Sequence, residues 1–212
     1  MSRYETEDEQ IDAIKSWWKK NGNSIITSVL VVAVAVAGWR YWQNSQYVNA
    51  ANASSVYEML QLSNDQGKFG EVSREALKLE QEQPDSPYAW GAALLHAKFS
   101  FEKGDMDTAE SQLQWVIDQA KDAEIRRVAQ LRLLRVSIDQ GKNDQANALV
   151  QALQAEKLTT QESAYLAYVK GLYALKLDQK EEARSAFQAV LDNSGSEQNL
   201  RGLAQIQLDD LS

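Results

Sequence analysis

The 212-residue chain has no cysteine, two prolines, ten glycines and a single histidine. Without cysteine there are no disulfides, no thiolate catalysis and no cysteine-ligated zinc. Scarce glycine and proline remove the turn residues that an all-β chain needs every eight to twelve positions or so. Alanine, glutamine, leucine and glutamate fill the gap and favour helix. The lone His96 offers no partner for a metal cluster or a nucleophile–base pair. There is no Walker loop and no GxGxxG. The paired carboxylates Asp209-Asp210 and Glu181-Glu182 are what a solvated helix face carries anyway. The chain reads as all-α and non-enzymatic, with no catalytic, cofactor-binding or metal site.

Net positive charge is also missing: the formal charge is −8. Residues 1–42 balance Arg3, Lys15, Lys19, Lys20 and Arg40 against Glu5, Glu7, Asp8, Glu9 and Asp12, so the excess lies beyond residue 42. An acidic body is repelled by phosphates, which argues against a nucleic-acid partner.

One stretch lacks charge altogether. Lys20 and Arg40 bracket an uncharged run, and Ile25–Trp42 is almost entirely apolar, Arg40 excepted. As a helix those residues span roughly 27 Å, close to a bilayer core of about 30 Å. Ile25, Ile26, Val29, Leu30, Val31, Val32, Val34 and Val36 together favour insertion by on the order of 2–5 kcal/mol. Trp17, Trp18, Lys19 and Lys20 flank one end, and Trp39, Arg40, Tyr41 and Trp42 the other. Aromatic girdles with a snorkelling arginine suit a spanning helix. Ala35-Val36-Ala37 before Gly38 resembles a signal-peptidase site, but the preceding segment is long and carries five acids, unlike a secretory n-region. An uncleaved signal anchor is therefore expected. Lys15, Lys19 and Lys20 precede the span and only Arg40 follows before Lys68, so the positive-inside rule puts the N-terminus in the cytoplasm. The expected organisation is residues 1–24 cytoplasmic, 25–42 transmembrane and 43–212 across the membrane, which is the periplasm if the cell is Gram-negative.

The body repeats itself. Segments from Gln66, Lys103, Gln140 and Leu177 share a register in which the turn residues Gly67, Gly104, Gly141 and Asp178 recur every 37 positions. Small residues follow at Val72, Ala109, Ala146 and Ala183, then Ala76, Leu113, Val150 and Phe187, then Leu79, Val116, Leu153 and Val190. Such periodicity signals a solenoid. Ser86-Pro87 and Thr159-Thr160-Gln161-Glu162 read as helix starts. Asn193-Ser194-Gly195-Ser196 separates a last amphipathic helix with Leu200, Leu203, Ala204, Leu208 and Leu211. The pattern Gly171, Asp178, Ala183 and Phe187 resembles the tetratricopeptide repeat, although the period is 37 rather than 34. The expected fold is all-α: an N-terminal transmembrane helix, a tetratricopeptide-like α-solenoid of about four helical hairpins, and a C-terminal capping helix.

That resemblance implies a concave partner-binding groove. Its positions map to Tyr57, Leu94, Leu131 and Tyr168 at one register, and to Asn64, Phe101, Ile138 and Leu175 at another, with Tyr165 and Leu172 adjoining. The variant that grips chain termini needs Lys, Arg and Asn at positions where this chain has Tyr57, Gln61, Leu95, Val128 and Arg132, of which only Arg132 is basic, so that mode is not implied. An apolar groove suits a hydrophobic segment of another protein, while the same side chains also serve helix packing. The opening "ETEDEQIDAIKSWWKKNG", one anchor and a body of this length resemble the YfgM-type ancillary subunits of the bacterial SecYEG translocon. The resemblance implies an inner-membrane adaptor associated with the translocon and the periplasmic chaperone PpiD, helping secreted chains onward. A membrane-anchored scaffold, or a signalling regulator holding a cytoplasmic response protein through residues 1–20, is the alternative.

Overall fold

A computed structural model describes residues 7–211, which contain nine α-helices and no strand. Arg3 and Glu5, counted in the N-terminal charge balance, lie outside the described residues, as does the side chain of Asn64. The helices are α1 (Glu7–Asp65), α2 (Phe69–Glu82), α3 (Pro87–Glu102), α4 (Met106–Gln119), α5 (Ala123–Gln140), α6 (Asn143–Ala155), α7 (Thr160–Lys176), α8 (Lys180–Asp192) and α9 (Gln198–Asp210). Contacts divide the chain into two compact units, Met1–Ala51 and Asn52–Ser212.

The first unit holds the apolar part of α1. Val29, Leu30, Val31, Val32 and Val34 are all about 60% exposed, so this apolar surface has no protein cover. The helix is long and apolar enough to cross a membrane, and a helix apolar on every side, with its backbone bonded internally, is what lipid accepts. Trp39 and Trp42 pack together, ring centroids 5.3 Å apart, beside Arg40 and an outward Tyr41. Trp17 and Trp18 lie at the other end, both more than half exposed.

In the second unit the 37-residue register becomes geometry. Gly67, Gly104, Gly141 and Asp178 all adopt left-handed backbone, with φ of 68°, 80°, 72° and 57°. Each ends the first helix of a hairpin, where glycine adopts that conformation without strain and aspartate is a tolerated substitute. The residue five places on, Val72, Ala109, Ala146 or Ala183, is fully buried where the second helix crosses the first. Helices α7 and α8 meet at Gly171 and Phe187. A Cβ added to Gly171 would stand 2.5 Å from the Phe187 ring, so the aromatic fills the space a side chain would need.

Caps set the boundaries. The Ser86 hydroxyl accepts from the Tyr88 N–H, with Pro87 as first helical residue. Thr159 and Glu162 form the reciprocal capping box, at 3.2 and 2.7 Å. The Asp105 and Asp122 carboxylates cap α4 and α5, accepting from the Thr108 and Glu124 N–H groups.

Consecutive helices pack from α2 to α6 and from α7 to α9, and α3, α5, α7 and α9 also touch in succession. These form an inner layer, backed by α2, α4, α6 and α8. Helix α9 thus stands where the first helix of a further hairpin would stand. Three core clusters run through the stack, centred on Leu60 and Leu79, on Leu113 and Val116, and on Leu134, Val169 and Phe187.

Candidate functional site: the concave cleft

The inner layer encloses a cleft of about 750 Å³. From α3 come Ala97, Lys98 and Phe101; from α5, Val128, Leu131, Arg132 and Arg135; from α7, Tyr165; and from α9, Leu200 and Leu203. The walls are largely apolar, with charge placed at a few points. Leu203 is about half exposed, presenting an aliphatic edge to the opening.

The groove residues read from the sequence divide among three environments. Phe101, Leu131 and Tyr165 line the cleft together. Tyr57 and Leu94 are half-buried against the first and second core clusters. Leu172 and Leu175 pack half-buried on the third cluster. Ile138, 1% exposed, and Tyr168, 9% exposed, are held within that cluster, Tyr168 beside the Phe187 ring at 5.8 Å. Sequence reasoning did not bring α9 to the cleft. Spacing alone gave no signal: Leu200, Leu203, Leu208 and Leu211 fall on one helical stripe, and only the packing of α9 leaves Leu203 at the opening.

Of the charged side chains lining the cleft, Lys98, Arg135 and Glu162 are in ion pairs, while Glu124, Glu197 and Arg132 are not, among the described residues. Arg127 of α5 meets Glu162 of α7 at 2.9 Å, both side chains nearly covered, and this ion pair ties the third hairpin to the fourth. Burial pushes the Glu162 carboxyl up, but the Thr159 N–H and hydroxyl with Arg127 more than offset it, leaving its pKa below the usual range. Arg135 pairs with Asp139 at 2.9 Å and Lys98 with Glu102 at 3.7 Å. Lys176 donates to the Ile138 and Asp139 carbonyls, capping the C-terminal end of α5. Arg132 differs. Its guanidinium donates to the Leu94 carbonyl at 3.3 Å, and among the described residues no carboxylate reaches ion-pair distance.

Away from the cleft, Glu80, His96 and Gln112 form a buried polar group between α2, α3 and α4, none more than 8% exposed. Desolvation raises the Glu80 pKa from 4.5 to about 7, against a hydrogen bond from Gln112. Desolvation lowers that of His96, which Asp105 and Gln112 partly offset. The sequence placed His96 on a packing position, and it is 5% exposed there. Among the described residues no His, Asp or Glu group has metal-site spacing.

A stack of antiparallel helix pairs, left-handed at each hairpin turn and curved around an apolar cleft, defines a class of repeat scaffold. The chain belongs to the tetratricopeptide repeat-like domain family, whose match covers residues 15–212. Its relatives narrow the class. A protein of Haemophilus influenzae named ancillary SecYEG translocon subunit is 29% identical over 194 residues, covering 90% of this chain and 91% of its own. Proteins of the same name from Escherichia coli (29%, covering 89% of each chain) and Neisseria gonorrhoeae (26%, covering each chain in full) are also similar. The resemblance to the YfgM type therefore holds along nearly the whole length. With its apolar N-terminal helix, this is a membrane-anchored protein.

Proposed function

We propose that the chain is a non-catalytic, membrane-tethered adaptor of the Sec translocon, holding a segment of another protein in its concave cleft. The cleft carries the reading: an apolar recess of about 750 Å³ on a repeat scaffold, in a chain whose relatives are named translocon subunits. Lys15, Lys19 and Lys20 before the span favour a cytoplasmic N-terminus, which puts residues 43–212 in the periplasm around an anchor at 25–42. Tethering confines the cleft near the channel exit and raises its effective concentration toward about mM, so weak contacts suffice. On this reading the cleft passes secreted or outer-membrane chains, or a chaperone such as PpiD, between channel and periplasm. Phe101 and Tyr165 are the first candidates for contact, with Leu131, buried in the wall, and Tyr57, Leu94, Leu172 and Leu175 behind them.

In-cell photo-crosslinking tests this. A photoreactive residue at Phe101, Tyr165 or Leu203 is expected to capture translocon or chaperone subunits, and one at the exposed Gln188 of α8 is not. Equal capture from both faces, or capture only from Gln188, removes the cleft from the reading. A carboxy-terminal reporter active only in the cytosol reverses the proposed topology.

A further inference from the structure

We propose that Arg132 makes the concave cleft a site for the acidic side chain, Asp or Glu, of an otherwise apolar segment of a partner protein. This rests on the reading of the cleft as the partner site and specifies what it takes.

Arg132 stands out by comparison with the charges around it. Arg135, Lys98 and Arg127 each have a carboxylate of their own, and Glu162 is committed to Arg127 and to its helix cap. Glu124 acts electrostatically on Arg127, and Glu197 is exposed at the start of α9. The groups acting on Arg132 are Tyr165 and Tyr57, and phenols are neutral near pH 7. Burial in the apolar wall pulls its pKa down, the sign of a cation drawn from water without a counter-ion. Guanidinium cannot shed its proton to escape that cost. In proteins such groups are partnered, because an isolated charge away from water is strongly unfavourable. Here the Leu94 carbonyl takes one donor, and the side chain lines the cleft. A carboxylate fits a guanidinium in two parallel hydrogen bonds.

The surroundings select what carries that carboxylate. Phe101 of α3 lies to one side of α5, and Tyr165 of α7 and Leu203 of α9 lie to the other. Apolar wall thus continues past the arginine in both directions, as a segment running through the cleft requires. A chain terminus is better served by several donors around its two oxygens than by one guanidinium already sharing itself with a carbonyl.

The test uses the full chain in lipid nanodiscs against a display library of random twelve-residue peptides, joined to their carrier at the C-terminus so that no free chain end is offered. Enriched peptides are expected to carry one Asp or Glu among apolar residues. Replacing that Glu by Gln in a synthetic, C-terminally amidated binder should weaken binding about tenfold or more. Arg132→Gln should abolish the difference between the two peptides, and Arg132→Lys should keep part of it. Arg132→Met should raise the melting temperature while removing the preference, whereas an arginine serving only the fold would lower it. Leu203→Arg, on an exposed position, should block binding. Binders without an acid, or a preference that survives Arg132→Gln, overturn the assignment of Arg132 and leave the cleft reading in place. No binders, or binding indifferent to Leu203→Arg, overturn both.

Discussion

The first and fourth hairpins of the stack share one register and solve it differently. In the fourth, glycine in α7 lets α8 come close enough for Phe187 to sit against the α7 backbone. Its start is fixed by a complete capping box and its turn by Asp178 in left-handed backbone. In the first, the equivalents of Gly171 and Phe187 are Leu60 and Ala76, so bulk moves from the second helix to the first. Both pairs are fully buried, and the space is filled either way. The first hairpin also carries Glu80, a carboxyl held in its neutral range by burial. The same interhelical volume can be filled from either side, but only the fourth hairpin is free of an ill-matched polar group. In such a stack, stability is a sum of local terms and neighbour interfaces, so this contrast is open to measurement.

The largest break should come from Phe187→Ala. Emptying the ring's site in the fourth hairpin should cost about 3–5 kcal/mol, seen as a lower denaturation midpoint and as hydrogen exchange opening first in α7 and α8. Gly171→Ala should come next. A methyl placed 2.5 Å from that ring forces helix or ring to shift, for about 1–3 kcal/mol. A gain of similar size at the equivalent residue of the first hairpin, Leu60→Ala, would show that the two are not alternative packings of one site.

Glu80→Gln should act in the opposite sense. The folded-state pKa near 7 lies above the ordinary 4.5, so between those values the unfolded chain has lost a proton that the folded chain keeps. Stability is then complete in acid, falls as pH rises through that window, and stays reduced above it. The amide should recover about 1–2 kcal/mol at pH 8, after allowance for solvent screening, and little at pH 4. His96 runs the other way, its lowered pKa removing stability as pH falls through the ordinary histidine range. Melting curves of wild type and variant at the two pH values decide this, and a gain equal at both would remove the titration from the account. Thr159→Ala should be smallest, about 1 kcal/mol for one lost cap, confined in hydrogen exchange to the first turn of α7.

Much of this comparison was legible before any coordinates. A turn position must tolerate left-handed backbone and a crossing point must be small, and both demands leave single-letter marks at fixed spacing. Hence Gly67, Gly104, Gly141 and Asp178, and the caps at Ser86 and Thr159, could be read directly. The site was less legible. Phe101 and Ile138 share a repeat register, yet Phe101 lines the cleft while Ile138 is sealed in the core. Exposure there depends on how the neighbouring hairpin seats, which one repeat does not encode. Nor does sequence spacing reveal that Arg132 lacks a carboxylate, since that depends on four helices at once. The end of the apolar run at Trp42 is a hydropathy boundary, whereas the compact units divide at Ala51 and Asn52, where packing begins with Ala53.

Helix α9 packs on the fourth hairpin and supplies Leu200 and Leu203 to the recess beside Arg132. Inserting one more hairpin before it would carry those leucines a full repeat away from the arginine. Duplication and loss of repeats, the ordinary route by which solenoids diversify, is thereby discouraged at this end. On the proposed reading of the cleft, the length of the scaffold is tied to the shape of the segment it takes.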